Sequence, residues 1–158
     1  IIVPRHVGRG ADIAMLCGPR PAARRSSGEA LTAGTAVYIA DTLNEMGLFY
    51  RLTPFCFLGA TLVPLGGHNP LEPAKLKCAV LAGPHCESNV DAFEAILGAQ
   101  GFGRVYNSAD IARQAARLIA DPQAARLAGE DAARGAATLS GAVERTVTAI
   151  RTLLDARA

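Results

Sequence analysis

The stretch "GGHNPLEPA", residues 66–74, concentrates the groups in this chain that could do chemistry. Gly66 and Gly67 let the backbone turn sharply and come close to a ligand. Pro70 or Pro73 suits the first turn of a helix, where its missing N–H would have had no intrahelical partner. The stretch therefore reads as a loop feeding a helix N-terminus, where amides and the helix dipole favour an anion. Glu72 adds a carboxylate whose two oxygens can accept from both hydroxyls of a vicinal diol such as ribose. Asn69 and Glu72 are also spaced as N-cap and N3, so Glu72 reads equally as a capping carboxylate. His68 is a second ligand candidate, or a loop histidine satisfied by backbone.

Three more polar clusters carry candidates. "PRH" (4–6) places Arg5 and His6 directly after an apolar run, where each needs an ion pair or a cleft. In "DTLNE" (41–45), Thr42 and Glu45 have capping-box spacing, which would make the amides of Leu43, Asn44 and Glu45 the free donors of a first helical turn. In "GPHCESN" (83–89), His85 shapes a turn and Asn89 or Ser88 caps the next helix. Arg20, Arg24 and Arg25 form either an exposed basic loop or a phosphate-facing one. The sequence has no G-x-S-x-G, Walker loop, G-x-G-x-x-G or metal triad, and no nucleophile–base pair can be assembled. No metal or cofactor is expected, and the chain reads as the binding half of whatever chemistry occurs.

These clusters need a scaffold, and the apolar runs supply one. "IIV" (1–3), "AVYIA" (36–40), "FCFLGA" (55–60) and "AVLAG" (79–83) are short and continuous, as buried parallel strands are, with "GRVYN" (103–107) as a further strand. "DTLNEMGLFYRL", "PLEPAKLK" and "SNVDAFEAILGAQG" have helical spacing. Three Ala/Arg/Leu-rich helices follow, started by Ser108, by Asp121 or Pro122, and by Ser140 with Glu144. This alternation predicts an α/β fold, a Rossmann-like parallel sheet with helices on both faces and helices at the C-terminal end. In such sheets ligands bind beyond the carboxyl ends of the strands, and all four polar clusters fall there.

At 158 residues the chain suits a single domain spanning 1–158. Its 50% hydrophobic content argues against disorder, and its net charge of +2 is too small to point to nucleic acid. Cys17, Cys56, Cys78 and Cys86 form no C-x-x-C pair and read as buried free thiols in a reducing compartment. No apolar run approaches the length that a membrane-spanning helix needs, and no signal peptide is evident. The start on "IIVPRH", without methionine, reads as a chain cut at the beginning of a strand.

Together, "PRH", "DTLNEMG", "FLGATLVPLGGHNPLEPA" and "GPHCESN" resemble the C-terminal domain of the 3-deoxy-D-manno-octulosonic acid (Kdo) transferases, most specifically in "GGHNPLEPA". The resemblance covers nearly the whole chain. It implies the C-terminal half of a two-domain, GT-B glycosyltransferase that binds the donor CMP-Kdo and transfers Kdo to a lipid A precursor in lipopolysaccharide biosynthesis. Transfer would invert the anomeric centre without a metal. The acceptor groove and a carboxylate base would lie in an N-terminal domain absent from this sequence, so the chain alone would be soluble and inactive. The full-length protein would sit at the cytoplasmic face of the bacterial inner membrane. By the same resemblance Pro4 and Arg5 meet the CMP phosphate region, Leu43, Asn44 and Glu45 offer amides, and Asn69, Pro70, Leu71 and Glu72 line ribose and phosphate. His6, Gly67, His68 and Asn89 are secondary candidates. The family usually has glycine where Asn44 and Lys77 stand, and an aromatic in place of Val90. Two rival readings are a donor domain for a UDP-sugar and a non-catalytic interaction domain.

Overall fold

The structure, a computed structural model, describes residues 1–155, side chains at 102, 142 and 143 excepted. The chain divides into two compact units, residues 1–49 and 50–158. The α/β class and the parallel pairing stand as expected. The strands are shared between two sheets, one in each unit.

In the first unit α1 (Gly10–Leu16) precedes β1 (Ala22–Arg24), which pairs in parallel with β2 (Val37–Ile39). Residues 1–3, expected as a buried strand, contribute a single parallel bridge from Ile2 to Ile39. Ile1 and Ile2 stay exposed, because this is the edge of the sheet and nothing in the unit covers it. Neither α1 nor β1 was legible as a regular element. In α1 only Gly10 is buried and no side chain caps the start, so no amphipathic or capping pattern marks it. β1 is three residues long and ends in arginine, held by register with β2 rather than by apolar content.

α2 (Met46–Leu52) leads into the second unit. There β3 (Phe55–Phe57), β4 (Ala79–Ala82) and β5 (Phe102–Arg104) form a parallel sheet in the order β3-β4-β5. All four β4 residues are buried, as its unbroken apolar run predicts for a central parallel strand. α3 (Leu71–Lys75) and α4 (Val90–Gly98) pack with α6 (Pro122–Thr138), and Ala74, Ile96, Ala132 and Ala136 form their shared core. The helices approach closely because α6 presents small residues. A Cβ on Gly129 would lie 2.0 Å from the Lys77 carbonyl oxygen, and one on Gly135 would lie 2.5 Å from that of Ala95.

α5 (Ser108–Ala120) is capped by Asn107, whose side chain accepts from the Asp110 amide, so the cap stands one residue before the expected Ser108. α6 begins as expected, with Asp121 accepting from the Ala124 amide and Pro122 in the first turn. α7 (Ala142–Asp155) closes the description, and residues 156–158 of the expected last helix lie outside it. The four cysteines are free thiols, Cys17 and Cys78 buried and the other two half-buried.

α3 ends in a tight reversal. The Lys77 amide donates to the Ala74 carbonyl and the Cys78 amide to that of Pro73, with Lys77 at φ +59°. This is the Schellman pattern, whose left-handed residue is usually glycine. Lys77 stands where glycine is usual in the resembled family, and the backbone keeps the left-handed geometry.

Candidate functional site

Parallel strands send their following loops to one edge of a sheet, and the expected site residues lie on such loops in each unit. In the first unit, "PRH" follows the Ile2–Ile39 bridge and "DTLNE" follows β2. In the second, "GGHNPLEP" lies on the β3–β4 connection and "GPHCESN" follows β4.

The second-unit loops are built around one buried hydroxyl. Thr61 is fully buried; its Oγ1 donates to the Leu58 carbonyl at 2.6 Å and accepts from the Gly83 amide at 2.8 Å. Its own carbonyl accepts from the His85 amide at 3.0 Å. One threonine thus ties the end of β3 to the loop after β4. Gly66 and Gly67, at φ +81° and +76°, bring the next loop against this knot. A Cβ on Gly67 would lie 2.8 Å from Thr61 Cγ2, and one on Gly66 would lie 2.0 Å from Ser88 Oγ. The pliancy expected of these two glycines is required here for both backbone sign and close approach.

Beyond the glycines the chain enters α3. Pro70 is buried, Leu71 is half-buried, and His68, Asn69 and Glu72 are exposed. Asn69 does not cap as expected. Its Oδ1 accepts from the Leu71 amide at 3.0 Å, two residues on, and the helix starts after Pro70. Glu72 is therefore at the second helical position rather than the third, and makes no capping bond. Pro73 has no amide hydrogen and the Leu71 amide is engaged, so the Glu72 amide is the donor left in this first turn. Among the described residues the Glu72 carboxylate has no hydrogen bond or ion pair. Burial pushes the nearby Tyr50 phenol above its ordinary range, and the charges of Cys56, Glu72 and Cys78 add to the shift. Asn89 stands at the N-cap of α4 but its side chain makes no capping bond, so its expected capping role is not formed. The Ser88 amide is spent on the Gly66 carbonyl at 3.1 Å, and His85 Nδ1 lies 3.2 Å from Glu87 Oε1.

The first-unit turn departs further from expectation. No capping box forms at residues 42–45, because α2 begins only at Met46. The Thr42 hydroxyl donates instead to Glu45 Oε2. Asn44 sits at φ +63°. Asparagine tolerates this conformation better than most residues, but it interrupts a right-handed helix. The amides of Leu43, Asn44 and Glu45 thus lie on a turn with a left-handed residue at Asn44 that leads into α2, with the Glu45 carbonyl accepting from the Leu48 and Phe49 amides. Leu43 and Asn44 are exposed and Glu45 is half-buried.

Both arginines of "RRS" turn away from the two roles open to them in the sequence. Arg24 donates through Nε and Nη2 to Asp41 Oδ2, at 3.0 and 2.9 Å, with the Asp41 side chain fully buried. The Ser26 amide and hydroxyl donate to the same carboxylate at 2.9 and 2.7 Å. Burial pushes the Asp41 carboxyl up, but the Ser26 and Arg24 hydrogen bonds outweigh it and hold the group at about 2. Arg25 donates through Nε to Glu45 Oε2 at 2.6 Å, through Nη2 to Glu45 Oε1, and through Nη1 to the Tyr38 hydroxyl at 3.0 Å. Hydrogen bonds from Arg25 and then Thr42 hold Glu45 at about 2. Asp41, Ser26 and Thr61 carry no motif in sequence; only the adjacency of Asp41 to the T-x-x-E spacing hinted at one of them. Pro4 is half-buried, whereas Arg5 and His6 are exposed and form no ion pair with a described residue, so they carry no burial penalty. Among the described residues no three His, Cys, Asp or Glu side chains gather as a metal site, and no helix is long and apolar enough to cross a membrane.

No protein-family model matches the chain. It is 32% identical over 128 residues to the 3-deoxy-D-manno-octulosonic acid transferase of Haemophilus influenzae, covering 80% of this chain and 30% of that protein. It is 40% identical over 89 residues to a probable mitochondrial 3-deoxy-D-manno-octulosonic acid transferase of Arabidopsis thaliana, covering 54% and 20% respectively. The chain thus spans less than a third of the length of these relatives. Among solved structures it is similar to the C-terminal CMP-Kdo binding domain of WaaA from Acinetobacter baumannii. The TM-score is 0.78 and the identity 28%, over 84% of this chain and 72% of that one.

Proposed function

We propose, from the chain's relation in sequence and fold to the C-terminal domain of the 3-deoxy-D-manno-octulosonic acid transferases, that it is the donor-binding domain of such a glycosyltransferase. Its ligand is CMP-Kdo. The observation that carries this reading is the TM-score of 0.78, over 84% of the chain, against a CMP-Kdo binding domain. The exposed, unpartnered Glu72 supports it locally, because a ribose diol needs a carboxylate not already engaged.

In this reading Glu72 accepts from the ribose hydroxyls, with Asn69, Pro70 and Leu71 shaping the wall beside it. Pro4 and Arg5 meet the phosphate, and the 43–45 turn offers backbone amides. Gly67, His68, Asn89 and His6 line the periphery. The Glu45 contribution is its amide, since its carboxylate belongs to Arg25.

The whole enzyme transfers Kdo from CMP-Kdo to a hydroxyl of a lipid A precursor. An N-terminal domain outside this sequence supplies the acceptor groove and a carboxylate that takes the hydroxyl proton. Arg5 and the amides stabilise charge growing on departing CMP, which replaces metal assistance. A single displacement inverts the anomeric centre, closure of the two domains excludes water, and the isolated domain binds without catalysing. The work is done at the cytoplasmic face of the inner membrane, where the acceptor lies.

The test is calorimetric titration of CMP into the chain, with UDP for comparison and Glu72→Ala as control. Selective CMP binding that weakens at least about tenfold in the variant, the usual cost of a charged hydrogen bond, supports the assignment. Equal or tighter UDP binding overturns it.

A further inference from the structure

The 41–45 segment is held at both ends by consecutive arginines of one strand end. Arg24 grips Asp41 before the turn and Arg25 grips Glu45 after it. Between them Thr42 closes onto Glu45 and Asn44 takes the left-handed conformation. The Arg24 end is rigid, since Asp41 is buried and also bound by both Ser26 donors. There is no room there to shift, because a Cβ on Gly10 would fall 1.9 Å from Asp41 Oδ2. The Arg25 end is half-exposed. There the Glu45 carbonyl accepts from the Leu48 and Phe49 amides, while the Glu45 side chain is held by Arg25 and Thr42.

From this geometry we infer that Arg25 is a positioning residue: acting through Glu45, it fixes the left-handed turn whose Leu43, Asn44 and Glu45 amides meet the anionic part of the donor. This rests on the donor-domain reading above. Arg25 is not itself the anion ligand. Three of its five N–H donors are engaged, Nε and one on Nη2 by Glu45 and one on Nη1 by Tyr38, and its guanidinium carbon lies 5.8 Å from the centroid of the Phe49 ring. A bidentate guanidinium–carboxylate fork fixes direction as well as distance, which a lysine ammonium cannot reproduce.

The experiment compares Arg25→Gln, Glu45→Gln, the double variant, Arg25→Lys and Tyr38→Phe in the 158-residue chain. CMP is the probe, with affinity read by calorimetry and exchange of the Leu43 and Asn44 amides read by NMR. Each Gln variant is expected to weaken CMP by roughly tenfold, and the double variant no further, because both remove the same contact. Arg25→Lys should recover only part of the loss, and Tyr38→Phe should cost a few-fold at most. The two amides should exchange faster in Arg25→Gln while the melting temperature of the chain holds. Losses that multiply in the double variant would make Arg25 a direct ligand and overturn the inference, as would Arg25→Gln binding CMP like the parent. If the parent chain binds no CMP, the donor reading fails on its own. The exchange rates then decide: unchanged Leu43 and Asn44 rates in Arg25→Gln overturn positioning, and faster rates retain it. Should Arg25→Gln not fold, Glu45→Gln and Tyr38→Phe carry the same comparisons.

Discussion

Thr61→Val isolates one hydroxyl at nearly constant volume. Valine keeps a methyl where Thr61 Cγ2 meets the Gly67 loop, so packing is preserved and the hydrogen bonds are lost. Two buried partners are orphaned, the Leu58 carbonyl, 2.6 Å from Oγ1, and the Gly83 amide, 2.8 Å from it. An orphaned buried group costs about 1–3 kcal/mol, so the pair should cost roughly 3 kcal/mol. Thr61→Ser is the complementary change: it keeps the hydroxyl, loses one buried methyl and should cost about 1 kcal/mol. Urea unfolding with an unchanged slope measures both, and the larger loss should lower the melting temperature by roughly 10 °C. CMP affinity should fall with Thr61→Val, because the same hydroxyl ties the end of β3 to the loop after β4. A valine variant as stable as the serine variant would refute the reasoning, since it would mean that packing rather than the hydroxyl holds the knot.

Two other outcomes are expected. Lys77 holds a left-handed position, at φ +59°, that strains a side chain glycine lacks. Lys77→Gly should therefore stabilise the chain by up to about 1 kcal/mol, which chemical denaturation would detect. Asp41, held at about 2, stabilises the fold above the ordinary carboxylate pKa near 4, and that contribution is lost as pH falls from about 4 through about 2. Urea midpoints measured between pH 7 and 2 should therefore show a shallower acid decline in Asp41→Asn, with lower stability than the parent at neutral pH.

The alternating strands and helices of the second unit were legible because burial there leaves a plain signature. "AVLA" is apolar throughout since both its faces are covered, and Asp121-Pro122 announces α6 by the chemistry of a helix start. The "GGHNPLEPA" loop was legible for a different reason, since only glycines meet its positive φ angles and close approaches. In the first unit β2 was legible within "AVYIA", but α1, β1 and the 41–45 turn were not, because their order rests on charge pairing across 17 to 20 residues, which no local pattern encodes. Arg24 and Asp41 look like loop charges until the parallel register of β1 and β2 sets them side by side. The T-x-x-E spacing misled because Arg25 competes for Glu45, and a bidentate guanidinium pair outweighs one capping bond.

Asn44 and Lys77 bear on how far a departure in sequence is a departure in geometry. Each stands where the resembled family usually has glycine, and each adopts the left-handed backbone glycine would supply, at φ +63° and +59°. The conformation is thus imposed by surroundings that over-determine it. At Lys77 these are the two Schellman hydrogen bonds and the close passage of α6, where Gly129 leaves no space beside the Lys77 carbonyl. At Asn44 they are the Thr42–Glu45 closure and the Arg25 fork. The strain at Lys77 is distributed into a helix junction packed against α6. At Asn44 it falls on an exposed turn between a buried Arg24–Asp41 pair and a half-exposed Arg25–Glu45 pair, so the weaker, Arg25 side carries more of the burden of keeping that turn. A chain with glycine at position 44 would need the arginine less, and the cost of Arg25→Gln to CMP binding should shrink in an Asn44→Gly background.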